Sequence, residues 1–184
     1  NQQITRFVTT SAGRYVDNAG RSRSTGVEVT AAWQILPGLR ASASYGYAAS
    51  KFEVWHATVT TPTGEKKKVD MAGNLVPYMP QNTASALLSY HKGLDNRVLK
   101  AVHASVEYSG VGPIYRDPEN TVREDFYSLL GARAGVQLGL VDVTLWGRNL
   151  LNTEYHPLYF NFFGQDLFQK GAPLTFGVDL AIRL

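Results

Sequence analysis

The hydrophobic and polar positions of this chain alternate with period two over most of its length. Between residues 26 and 35, Val27, Val29, Ala31, Trp33 and Ile35 are apolar, while Glu28, Thr30, Ala32 and Gln34 are polar or small. That is the pattern of a strand with one apolar face. After Leu36, Pro37 and Gly38 it resumes, with Leu39, Ala41, Ala43, Tyr45 and Tyr47 against Arg40, Ser42, Ser44 and Gly46. A short-turned hairpin is predicted. The same alternation recurs over 83–90 (where Leu87 is the one misfit), 102–109, 130–138, 141–148 and 174–184. With a weaker stretch over 3–9, eight strands are expected. Several reach about a dozen residues, closer to the ~10 of a membrane barrel than to the ~5–6 of a globular sheet.

The connections between these strands alternate in length. Long stretches at 11–21, 54–80, 116–125 and 156–171 are interleaved with short ones at 36–38, 92–97 and 139–140. Outer-membrane barrels pair long extracellular loops with short periplasmic turns. The expected architecture is therefore all-β: an antiparallel up-and-down transmembrane β-barrel segment of about eight strands, occupying residues 1–184 as one unit. The polar face of the pattern carries Glu28, Arg40, His103, Glu107, Arg133, Asp142, Arg148 and Asp179. A small soluble barrel fills its interior with apolar side chains, and ionised groups in a dry core cost several kcal/mol each. This face must instead meet water, a plug or paired partners.

Composition narrows the class further. The 17 Gly, 10 Tyr and 8 Phe against 2 Met suit β-structure with tight turns. No apolar run approaches the ~20 residues of a membrane-spanning helix. The absence of Cys excludes disulfides and thiolate metal sites, and a net charge of +3 is too mild to imply a nucleic-acid partner. The opening NQQITRF lacks the features of a signal peptide, so the chain is expected to be an internal piece of a longer protein. His56, His91, His103 and His156 show no metal-binding spacing, and no nucleophile motif occurs. No catalytic residue, metal site or cofactor is expected; the chain is read as not an enzyme.

Three stretches resemble the C-terminal signature of TonB-dependent receptors. Asn18, Ala19 and Gly20 followed by Gly26, Val27 and Glu28 match N-A-G-x-x-x-x-x-G-V-E. Val143, Leu145, Asn149, Leu150, Asn152 and Tyr155 match the penultimate strand's V-x-L-x-x-x-N-L-x-[DN]-x-x-Y. Gly171, Pro173, Thr175, Phe176 and Val178 are similar to the last strand's G-x-P-R-T-[YF]-x-[LV], although Leu174 replaces the usual Arg and Leu184 stands where a terminal aromatic is usual. Such barrels have about 22 strands around a plug. The resemblance implies the last third of one, in the cell outer membrane. It also implies a parent protein that imports a scarce nutrient, a ferric siderophore before haem, cobalamin or glycans. The implied partners are the rest of the barrel, the plug, the TonB complex and outer-membrane lipid.

Receptors of this family often take ligands on aromatic and Arg side chains of loops and upper walls. On that implication Trp55, His56, Tyr115, Arg116, His156, Tyr159, Phe160 and Phe163 are candidate ligand contacts; a packed loop or an interfacial aromatic girdle is the alternative. For Glu107, Arg133, Arg148 and Asp179 an ion-pair ladder across neighbouring strands is expected. The run of Glu65, Lys66, Lys67 and Lys68 suits a solvated loop tip, or attraction of phosphates or an anionic ligand. A rival reading is a complete eight-stranded outer-membrane barrel with a structural or adhesion role, since eight strands can close.

Overall fold

The computed structural model describes residues 3–10, 13–60, 65–162 and 165–182. Its long strands are β1 (Gln3–Thr10), β2 (Gly13–Leu36), β3 (Leu39–Val54), β6 (Asn82–Gly93), β7 (Leu99–Gly112), β10 (Tyr127–Leu138), β11 (Val141–Arg148) and β14 (Thr175–Ile182). Between them lie β4 (His56–Thr60) with β5 (Lys66–Asp70), β8 (Ile114–Tyr115) with β9 (Arg123–Glu124), and β12 (Leu158–Phe162) with β13 (Gln165–Gln169). The eight long strands form one antiparallel sheet in chain order, an up-and-down meander.

The register carries the sequence alternation across the sheet from β2 to β14. Val29 pairs Tyr45, Ala41 pairs Leu88, Leu88 pairs Val106, Val106 pairs Ala132, Ala134 pairs Leu145 and Leu145 pairs Val178. Because partners across an antiparallel ladder share a face, these residues make one continuous apolar surface. It stays exposed: Phe176 is 82% and Leu180 73% accessible. A soluble monomer does not leave an apolar surface of this extent in water. The opposite face joins Gln34, Arg40, Ser89, Ser105, Arg133 and Trp146 in one row.

Among the described residues the sheet is open, because β14 has no partner beyond β11 and β1 covers only the first part of β2. A self-contained eight-stranded barrel is therefore not what these strands build. The expected loop at 11–21 is also corrected: β2 begins at Gly13, and Gly13 to Arg21 pair with β1. Backbone pairing extends the strand where the sequence lacks a clean alternation. The other long connections hold hairpins of their own. Among the described residues, the hydrophobic core lies there, where Phe52, Trp55, Ala57 and Met71 cluster with Val69 and Val76.

Candidate functional site

Three long connections are tied together at one end of the sheet. Arg116 is only 6% exposed; its guanidinium donates to the carbonyls of His156 and, at 3.3 Å, Pro157. It also lies 5.3 Å from the centre of the Tyr78 ring, within the range of a cation–π contact. Tyr78, held at φ 60°, donates its hydroxyl to the Tyr159 carbonyl. Glu124 accepts the His156 amide at 3.1 Å and faces its ring nitrogen at 3.3 Å. Asn120 exchanges hydrogen bonds with the backbone of Leu75 at 2.7 and 2.9 Å. Asp117 closes its own turn, accepting from Thr121 and from the Val122 amide.

A concavity of about 560 Å³ opens between these connections, lined by Tyr78, Arg116, Glu119, Tyr159, Phe160 and Asp166 among others. Tyr159 and Asn161 both donate to one oxygen of Asp166 at 2.8 Å. Those bonds, Asn161's foremost, hold the Asp166 carboxyl below the usual carboxylate range. Partial burial, followed by the bond to Asp166, pushes the Tyr159 hydroxyl up to about 12.

Of the expected ligand contacts, Arg116, Tyr159 and Phe160 meet at this concavity. Tyr115 is not in its lining; its carbonyl accepts the Tyr78 amide at 2.8 Å, and His156 packs edge-on against Phe168. Trp55 is elsewhere: it is buried against Phe52, ring centres 4.4 Å apart, and serves the loop core. His56 is exposed at the start of β4. Phe163 lies outside the described residues. Tyr78, Asn161 and Asp166 are not singled out by the sequence; Tyr78 reaches Arg116 from a left-handed backbone position that no local motif announces.

On the polar face, Glu28, Arg40, His103, Glu107, Arg133, Arg148 and Asp179 all fall on the side opposite the apolar surface by register. The expected ion-pair ladder takes a different form. Among the described residues, Glu107, Arg133, Arg148 and Asp179 make no ion pair. Instead the Trp146 indole donates to Asp179 at 3.0 Å, and Arg148 lies 5.1 Å over the same ring. His103 contacts Thr144 at 3.0 Å, and Thr144 donates to Asp142 at 3.0 Å. Arg40 donates to Gln34 at 2.8 Å. Three of these side chains lie across glycines, where a Cβ would stand 2.6 Å or less from them: Glu107 at Gly131, His103 at Gly135 and, at 2.5 Å, Trp146 at Gly177. A groove of about 880 Å³ runs past Leu87, Glu107, Trp146, Arg148 and Tyr155.

The sequence motifs have physical counterparts. A Cβ at Gly20 would stand 1.9 Å from the Val54 carbonyl oxygen and one at Gly26 2.3 Å from that of Tyr47, so β3 approaches β2 where only glycine fits. Asn149, at φ 48°, donates to the carbonyls of Thr153 and Ala172 at 3.0 and 2.9 Å and accepts the Thr153 amide at 2.9 Å. Tyr155 stacks on Tyr127, centres 4.8 Å apart, and covers Gly171.

Residues 1–150 match the family described as TonB dependent receptor-like, beta-barrel. The chain belongs to that family. The pesticin receptors of Yersinia pestis and Yersinia enterocolitica are each 27% identical over 145 residues, 76% of this chain and 19% of theirs. This receptor segment thus spans about a fifth of the length of the curated relatives it matches. Its fold is that of the ferric yersiniabactin uptake receptor FyuA from Yersinia pestis, with a TM-score of 0.75, 23% identity, and coverage of 91% of this chain and 24% of that one. The siderophore receptor PiuA from Acinetobacter baumannii gives a TM-score of 0.65 at 22% identity, over 97% of this chain and 23% of that one.

Proposed function

We propose that this chain is the wall and loop region at the C-terminal end of an outer-membrane receptor that binds a ferric siderophore and imports it in a TonB-dependent manner. The observation that carries the reading is the two-faced sheet: an exposed apolar surface from β2 to β14, backed by a face bearing charged side chains. Lipid suits the first and a watered or plugged lumen the second. The ferric yersiniabactin uptake receptor and the siderophore receptor among the structural neighbours support the cargo.

In this reading Glu28, Arg40, His103, Glu107, Arg133, Arg148 and Asp179 face the lumen. The concavity beside Tyr78, Tyr159 and Phe160 contributes part of the capture surface; Arg116 acts chiefly by holding the His156 carbonyl and Tyr78 in place. The remainder of the barrel, the plug and the TonB complex supply gating and energy, and the segment performs no chemistry of its own. The test is growth of a strain lacking the full-length receptor on a panel of ferric siderophores, haem, cobalamin and glycans. Loss of growth on one ferric siderophore, restored by the intact gene, is expected. Unchanged growth on every iron source, with a defect on a glycan or cobalamin instead, overturns the cargo.

A further inference from the structure

On β2 and β3 the outward positions continue past the last apolar residues. The outward face of β2 runs upward from Val27 through Thr25 to Arg23, and that of β3 from Tyr47 through Ala49 to Lys51. Ser24 and Ser50, which hydrogen-bond at 2.8 Å, occupy the other face. No register shift intervenes between Ser22 and Gln34, so Arg23 and Lys51 are direct cross-strand partners. Both are exposed, and among the described residues neither makes an ion pair. The nearby Arg21 is already engaged by Glu53 at 2.7 Å.

Like charges placed directly opposite destabilise a sheet, so two cations at one register position need a counter-charge from outside the chain. Their position identifies it. Each stands four residues beyond the Val27–Tyr47 pair, about 13 Å along a strand and less along the membrane normal once the strand is tilted. Tyr45 and Tyr47 are exposed aromatics on the apolar face, the residue type that marks a membrane–water interface. The two cations therefore lie at headgroup depth on the lipid side. A guanidinium and an ammonium side by side match a phosphate, the guanidinium as a planar fork and the ammonium as a point charge.

We propose that Arg23 and Lys51 form a binding site for the phosphorylated headgroup of an outer-leaflet lipid. The site rests on the membrane reading given above but is independent of the cargo. Incorporation of the full-length receptor into phosphatidylcholine vesicles, with and without diphosphoryl lipid A, tests it, with thermal unfolding and retained lipid as readouts. For the unaltered receptor, lipid A raises the unfolding temperature and stays bound through washing, whereas inorganic phosphate does neither. In the Arg23→Gln/Lys51→Gln receptor retention weakens roughly tenfold or more, as expected for losing two charge-assisted partners. In plain phosphatidylcholine the same variant unfolds no earlier than the unaltered receptor, because a repulsion has been removed. Equal retention by both receptors, or an equal shift from inorganic phosphate, overturns the site. Failure of the receptor to float with any vesicle overturns the membrane reading as well.

Discussion

At the scale of single residues, the pairing of Tyr159 with Asp166 makes a defined pH window. The Asp166 carboxyl sits below its usual range, so its contribution to the hairpin is present above the ordinary carboxylate value of about 4 and is lost as pH falls through its lowered pKa. The Tyr159 hydroxyl is raised, so its contribution is present below the ordinary value of about 10 and is lost as pH rises through about 12. Tyrosinate absorbance that disappears in a Tyr159→Phe variant should titrate near 12; Asp166→Asn should lower that midpoint toward the ordinary value. Asn149 is a second residue with a measurable role. Replacing it with Ala removes three hydrogen bonds and leaves a Cβ-bearing residue in the left-handed region without its clamp. We expect a loss of roughly 2–4 kcal/mol, read by denaturant unfolding of the full-length receptor.

At the scale of elements, the strands were legible because a two-sided environment writes itself into the sequence as alternation. Val27 to Ile35 and Leu39 to Tyr47 disclose their faces without any structure, and Leu87, the exception, lies on the polar face opposite Glu107. The long connections were legible only as gaps. The ladder of β4 with β5 and the bridging role of Arg116 depend on contacts between connections remote in sequence, and Tyr78 depends on a backbone conformation its neighbours do not signal. Trp55, packed with Met71 in the loop core, shows the same limit: an aromatic near a loop reads alike in sequence whether it meets a ligand or another side chain. The motifs at Asn149 and Gly171 were separate in sequence, yet Asn149 and Tyr155 join them into one knot where β11 hands over to β14. The unpaired edges of β14 and of β2 beyond Arg21 are templates for further strands. The isolated chain in detergent should accordingly associate edge to edge, giving dimers or larger species by light scattering; a closed monomer would contradict this.

At the scale of the molecule, the proposed function puts lipid on one side of the sheet and a filled lumen on the other; with no second layer to bury its side chains, its stability would rest on pairing and on what lies against each face. Three side chains of the polar face fold down onto neighbouring strands: Trp146 over Gly177, His103 over Gly135 and Glu107 over Gly131. In the membrane reading, the lumen wall stays close to its backbone at these three places. A methyl group added at any of the three glycines would lift a bulky neighbour into the bore. On the proposed function, three hydrogen atoms thus set how much clearance this part of the wall leaves on its lumen side.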